Sequence, residues 1–250
     1  MLIAQITDTH LITNGSGSEQ RLADFRAVID ALNALDPQPD AIIHTGDITH
    51  HGTAEEYAVA AQILDMAKAP VYVLAGNKDN RANLRAAFAH KGYLSEEAEF
   101  IAYAVEHLPV HLVMLDTTNP NSKKGDFCAD RFAQLGKLMQ TTTPKPMAVF
   151  MHHPPFEVFV GPERLHFDDT DVSDMLIAEI TGQPRVLGVF CGHVHRPTTG
   201  TIGPVPTVIA TAVATELRYG EYPKDAADRP IYLLHTFDHD AGFHTETRIA

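Results

Sequence analysis

The sequence predicts an α/β protein with mixed sheets, on two observations. In roughly the first ninety of its 250 residues, short apolar, β-branched runs alternate with longer stretches of helical period, the pattern of β-α-β units. Further on, neighbouring strand-like runs follow one another with only short connections, and those call for antiparallel pairing.

The elements follow in order. Residues 2–7, Leu-Ile-Ala-Gln-Ile-Thr, read as a buried strand. Over 19–35, Leu22, Phe25, Val28, Ile29, Leu32 and Leu35 recur at three- and four-residue spacing, which gives a helix one apolar face. A strand over 41–45 precedes a helix over 53–67, where Thr53 and Glu56 are spaced for a capping box. Residues 71–75 predict a strand and 82–90 a helix. The runs 100–105 and 110–116, joined by Glu106-His107-Leu108-Pro109, predict a hairpin. A helix over 130–140, a strand over 147–151, a helix over 171–181 and a strand over 186–191 follow. The stretch 153–169 matches neither period and reads as a functional loop. From 205 the chain reads mainly as β, ending in strands over 231–236 and 244–249. With no repeat and no Pro/Gly/Ser-rich linker, residues 1–250 are expected to form a single domain.

Composition excludes several classes of function. At 44% apolar and 20% charged residues the chain is neither disordered nor membrane-spanning, since no apolar run nears the roughly 18 residues a span needs. Nineteen Lys and Arg against 32 Asp and Glu leave a net charge of −13, which repels nucleic acid and anionic lipid. No stable nucleic-acid or membrane binding is therefore expected. Two cysteines, Cys128 and Cys191, and an N-terminus without a basic leader point to a cytoplasmic protein. The 15 histidines nearly equal all Lys and Arg together, and histidine is the commonest metal ligand.

Position gives those histidines meaning. Five predicted strands end in polar clusters: Asp8-Thr9-His10, Gly46-Asp47, Gly76-Asn77-Lys78-Asp79, His152-His153-Pro154-Pro155 and Gly192-His193-Val194-His195. Ligand sites in α/β sheets lie beyond the carboxyl ends of strands, so these clusters are expected to converge. In extended chain, residues i and i+2 face one side, which would aim Asp8 with His10, and His193 with His195, into one cavity. Asp8, His10, Asp47, Asn77, His152, His193 and His195 together offer imidazole nitrogens, carboxylates and one amide oxygen. That mixture suits Mn, Fe, Co or Zn better than Ca or Mg. Seven donors exceed what one open metal site takes and suit two divalent ions bridged by a carboxylate. A water shared by two such ions loses a proton near neutral pH and becomes a positioned hydroxide.

The order D-x-H, G-D, G-N-x-D, H-H-P-P, G-H-x-H resembles the calcineurin-like metallophosphoesterases, over residues 2–196. The phrases around Asp8, Asp47, His152 and His193 are most similar to the branch that cleaves cyclic nucleotides and glycerophosphodiesters. The β-rich remainder, 197–250, carries no such motif. The resemblance implies a four-layer α/β/β/α sandwich of two mixed sheets with a dinuclear metal site at the strand C-terminal edge. It implies that Asp8, His10 and His195 hold one metal, that Asn77, His152 and His193 hold the other, and that Asp47 bridges them. His153 would then line the substrate pocket. A small phosphate-ester substrate is implied, either a 3′,5′-cyclic nucleotide or a glycerophosphodiester. A broad phosphomonoesterase or phosphonate-ester hydrolase on the same site is the alternative, and a non-catalytic metal-binding scaffold is a more distant one. Relatives that assemble through parts outside the motifs leave homo-oligomers open.

One position departs from the family pattern, which usually reads G-N-H-D: here it is Gly76-Asn77-Lys78-Asp79. Lys78 keeps a cation where the family has a proton-donating histidine. With Asn77 it is the expected catalytic pair, Lys78 acting as an electrostatic clamp. Asp79 is expected to brace the Asn77–Lys78 turn or a ligand histidine, or else to cap the helix over 82–90. Asp116 is read as bracing or loop-capping. His50 and His51 are weighed as pocket-lining against surface, and Arg81 and Arg164 as phosphate contacts. Substrate choice is assigned to loops at 14–18, 153–169 and 215–228.

Overall fold

The computed structural model describes residues 1–141 and 144–250. Its first half alternates β1 (Leu2–Ile6), α1 (Ser18–Asn33), β2 (Ala41–His44), α2 (Ala54–Leu64), β3 (Val71–Val73) and α3 (Arg81–Phe88). Next come β4 (Tyr103–Val105), β5 (His111–Leu115), α4 (Ala129–Leu138), β6 (Met147–Met151), β7 (Phe159–Val160), β8 (Glu163–Arg164), α5 (Thr170–Gly182) and β9 (Val186–Cys191). The chain closes with β10 (Thr198–Ile202), β11 (Val205–Ile209), β12 (Ile231–Asp238) and β13 (Gly242–Ile249).

The strands form two mixed sheets, ordered β13-β12-β1-β2-β3 and β10-β11-β9-β6-β5-β4, with β7-β8 a separate hairpin. β1, β2 and β3 are parallel, as are β5, β6, β9 and β11, while β4, β10, β12 and β13 pair antiparallel. Parallel strands covered on both faces are mostly apolar, and β2, β5 and β6 are wholly buried, with His44 and His111 as their polar members.

Two apolar clusters define four layers. Phe25, Val28 and Leu32 of α1, Tyr57 and Ile63 of α2, and Leu84 and Phe88 of α3 pack on the first sheet. The same cluster runs between the sheets through Met114, Phe150 and Phe190, with the Phe150 and Phe190 rings stacked at 4.9 Å. The alternate residues Val113, Leu115, Val149, Met151 and Val189 face the other way, against Leu135 of α4 and Leu176 and Ile180 of α5. Each fully buried Phe or Leu is worth roughly 1.5–3 kcal/mol over exposure. The order is therefore α/β/β/α.

The capping box at Thr53 and Glu56 forms as expected, and the 4–5 hairpin pairs Tyr103 with Met114. One alternative is set aside and one expectation is corrected. The helix after β3 is capped by Asn80, whose side chain accepts from Asn83 N, and Asp79 is used elsewhere. The stretch 153–169 contains β7 and β8. β10, within the β-rich remainder over 197–250, is an exposed edge strand whose Thr-Thr-Gly-Thr run has no apolar alternation. Residues 231–249 complete the first sheet, with β12 hydrogen-bonded to β1. No helix among the described residues is long and apolar enough to cross a membrane.

Candidate metal centre

Asp8 and His10 follow β1, Asp47 follows β2, Asn77 follows β3, His152 follows β6, and His193 and His195 follow β9. All seven leave the C-terminal ends of parallel strands drawn from both sheets. Backbone hydrogen bonds splice the loops: Asp8 N donates to Gly46 O, His10 N to Asp47 O and Gly192 N to His152 O.

The convergence is real, but extended chain does not produce it. Asp8, His10, Asp47, His193 and His195 have φ of 52°, 41°, 51°, 71° and 55°, and they are the non-glycine residues of positive φ among those described. Left-handed backbone costs an L-residue about 1–3 kcal/mol, which surrounding structure must offset. Part of that hold is visible at Asp8, whose Oδ2 accepts from Thr7 Oγ1 at 2.7 Å and from His193 N at 2.9 Å. Close approach also fixes two glycines. A Cβ on Gly76 would lie 2.3 Å from Asp47 N and Oδ1, and one on Gly192 would lie 2.1 Å from Thr7 Oγ1.

The donor atoms form two adjoining sets. In the first, His195 Nε2 lies 3.2 Å from Asp8 Oδ1 and 3.0 Å from His10 Nε2, and His10 Nε2 lies 3.5 Å from Asp47 Oδ2. In the second, His152 Nε2 lies 3.2 Å from Asn77 Oδ1 and 3.5 Å from Asp47 Oδ1. Donors about 2.0–2.1 Å from one ion sit roughly 3.0–3.4 Å apart, so these spacings fit a shared cation in each set. His193 Nε2 is buried with no hydrogen-bond partner among the described residues. A buried polar atom left so is costly unless something else satisfies it. The residues therefore fit divalent metal.

Protonation favours the same use. Burial pushes His152 below its ordinary value and His193 well below it, so both present neutral lone pairs. For His195 burial acts downward, yet the Asp8 charge and hydrogen bond outweigh it and raise the imidazole. Burial likewise works to raise the Asp8 carboxyl, but the His195 charge and hydrogen bonds from His10 and His195 hold it well below the usual range. Asp47 is raised, chiefly by burial and then by the neighbouring charges of Asp8 and Asp79. A cation beside it would reverse that shift.

The surrounding groups aim the donors. His152 Nδ1 donates to Thr45 O and His195 Nδ1 to Leu217 O, each at 2.8 Å, which turns both Nε2 atoms inward. Asp79 accepts from Gly76 N, Ile48 N, Thr49 N and the Tyr57 hydroxyl, which ties the Asp47 loop to the Asn77 loop. His153 differs from expectation. It is fully buried, with Nδ1 on Thr117 Oγ1 at 2.9 Å and Nε2 donating to Lys123 O at 3.2 Å, behind the cleft wall and beside His152 and His193. Arg81 is spent bidentately on Asp116, which caps the loop through Ile101 N and Thr118 N. Arg164 pairs with Glu157 and His51 with Glu56. Among the described residues, His50 reaches the site through His10, at 3.3 Å between Nδ1 atoms.

Over the donors opens a cleft of about 430 Å³, lined by His10, Asp47, Asn77, His193 and His195. Lys78 also lines it, exposed, while its backbone N–H donates to Asp47 Oδ1 at 2.7 Å. Lys123, Glu163 and an apolar wall of Val160, Pro162, Leu165 and Tyr219 complete it. Of the loops expected to set specificity, 153–169 and 215–228 contribute, and 14–18 is absent from this lining among the described residues. Lys123 was not anticipated. It sits in a polar turn, Asn-Ser-Lys-Lys-Gly, whose sequence carries no site signal.

A four-layer sandwich with clustered Asp and His at its strand ends is a metal-binding α/β protein of hydrolase type. The sequence model of the calcineurin-like phosphoesterase family matches residues 1–197, and the chain belongs to that family. It is 29% identical over 99% of its length, and 92% of the relative's, to a protein of Arcobacter nitrofigilis named "Probable glycerophosphodiester phosphodiesterase". It is 28% identical over 88% of its length, and 80% of the relative's, to one of Rhodopseudomonas palustris named "Probable cyclic nucleotide phosphodiesterase". A dimetal phosphatase from Danio rerio shares the fold, with a TM-score of 0.72, 13% identity, and coverage of 99% of this chain and 98% of that one.

Proposed function

We propose that the protein is a metal-dependent phosphodiesterase acting on small phosphate diesters. Asp8, His10 and His195 hold one divalent ion, Asn77, His152 and His193 hold a second, and Asp47 bridges them. The observation carrying this reading is the carboxylate of Asp47, whose Oδ2 faces His10 and whose Oδ1 faces His152, each at 3.5 Å. One oxygen is thus offered to each donor set.

Divalent ions bound there supply an acidified water and charge neutralisation toward phosphate oxygens. The chain does the rest. Its N,O donor set suits Mn, Fe, Zn or Co. His195 and His152 keep their Nε2 atoms aimed by giving their Nδ1 protons to backbone carbonyls. Lys78 holds a cation on the cleft wall, where it draws in the ester and steadies the departing alkoxide. The relatives' names divide between glycerophosphodiesters and cyclic nucleotides, and both are small diesters. A net charge of −13 favours such small anions over long polyanions.

The test is one panel on protein loaded separately with Mn, Zn, Co and Fe: bis-nitrophenyl phosphate, nitrophenyl phosphate, nitrophenyl phosphonate, cyclic AMP and glycerophosphocholine. Diesters should turn over faster than the monoester. No turnover of any ester with metal demonstrably bound would overturn the reading.

A further inference from the structure

The ring of Tyr219 lies over His195, 27° from parallel with centroids 5.9 Å apart, and the residue is 49% exposed. Among the described residues its hydroxyl has no partner, yet the loop carrying it is bound at nearly every residue. Tyr219 N donates to His195 O at 2.9 Å, and Leu217 O accepts from His195 Nδ1. Thr215 donates twice to Asp24, and Arg21 grips Glu216 at 2.7 Å. Arg21 and Asp24 are buried polar residues on α1, which the apolar pattern of that helix does not explain. Arg218 lies over the Tyr222 ring and bonds Ala226 O and Ala227 O. This machinery fixes the backbone and leaves one aromatic face open toward the cleft. The remaining apolar lining, Val160, Pro162 and Leu165, comes from the β7–β8 hairpin, and Arg196 ties that hairpin to the segment after His195 through Phe159 O at 3.1 Å.

An ordered, solvent-facing aromatic ring beside a phosphate-ester site suits a flat π-system, because ordering it on ligand binding costs little further entropy. We infer that Tyr219 is the stacking platform for a planar heterocycle attached to the ester, so that the site selects nucleotide esters over glycerol esters. This rests on the phosphoesterase reading above and assigns its substrate class. Stacking reads the face of a base and not its edge, so any purine or pyrimidine nucleotide gains from it.

The test compares two ligands carrying the same phosphate, AMP and glycerol 3-phosphate, by calorimetric titration of the manganese-loaded protein. Wild type should bind AMP about tenfold or more tighter. Tyr219→Ala should bring AMP down to the level of glycerol 3-phosphate, whose own affinity stays within about twofold, while Tyr219→Phe keeps the preference. Metal content and melting temperature of each variant report whether the ring merely covers His195. Equal weakening of both ligands in Tyr219→Ala, or no preference in wild type, would overturn the platform and leave the phosphoesterase reading standing. Binding of neither ligand by wild type would overturn both.

Discussion

The Nε2 atoms of His10 and His195 face each other at 3.0 Å, although His195 has already given its Nδ1 proton to Leu217 O. A neutral His195 therefore points a bare lone pair at another imidazole nitrogen, and only a proton or a cation between or beside them makes that arrangement favourable. A cation also relieves the burial of Asp8 and Asp47.

Metal should consequently stabilise the fold by mass action. At a free-ion concentration near 100 times Kd the gain is about 2.7 kcal/mol. Treatment with EDTA should lower Tm by several degrees, and readdition of manganese or zinc should restore it. A Tm indifferent to both would remove metal from the site.

Asp47→Ala should lose both ions, because one carboxylate serves both donor sets. His195→Ala, which trims only the first set, should keep about one ion per chain. Elemental analysis of the purified variants separates these outcomes, and one ion retained by Asp47→Ala would argue against the bridge. Its activity should fall by at least about a thousandfold.

Lys78→Ala isolates the ammonium, since the backbone N–H to Asp47 Oδ1 survives the substitution. We expect kcat/KM to fall about tenfold or more for diesters with alkoxide leaving groups and less for nitrophenolates. Lys78→His should favour the poorer leaving groups, because an imidazolium gives up a proton more readily than an ammonium does. An unchanged kcat/KM across the series sinks the role.

Asp79→Asn keeps the shape but removes the charge that five donors, among them both the N–H and the hydroxyl of Thr49, converge upon. Metal affinity should drop about 10–100-fold, as for other residues that orient ligands. Tyr57→Phe deletes one of those donors and should cost about 1 kcal/mol in denaturant unfolding with smaller loss of metal. If Asp79→Asn binds metal as wild type does, the bracing is structural only.

The sandwich and the seven donors were legible because both are local patterns: strand periodicity, and polar residues directly after strands. Their backbone was not. Positive φ is uncommon for any residue but glycine, even for aspartate and histidine, which tolerate it better than most, and the packed site over-determines it. Lys123, Tyr219, Arg21 and Asp24 were invisible for another reason. Each acquires its role from a partner distant in sequence, as Asp24 does from Thr215. His153 shows the converse: a motif residue expected at the pocket is consumed in holding the Lys123 turn.

His235 ties acid stability to the interior of the sandwich. Its Nε2 donates to Gln5 Oε1 at 3.0 Å, its Nδ1 meets Thr245 Oγ1 at 2.8 Å, and burial pushes its pKa down to about 3. The unfolded chain, with an ordinary value near 6.5, binds one more proton than the folded one between about pH 6.5 and about pH 3. Stability from this group is thus complete above about pH 6.5 and declines on acidification, by up to about 1.4 kcal/mol per pH unit. His235→Gln keeps a donor toward Gln5 and cannot titrate. In metal-free protein, urea unfolding should show the variant less stable at neutral pH but with a shallower loss between about pH 6 and about pH 5. Parallel slopes for the two proteins would mean that His235 is charged in the fold.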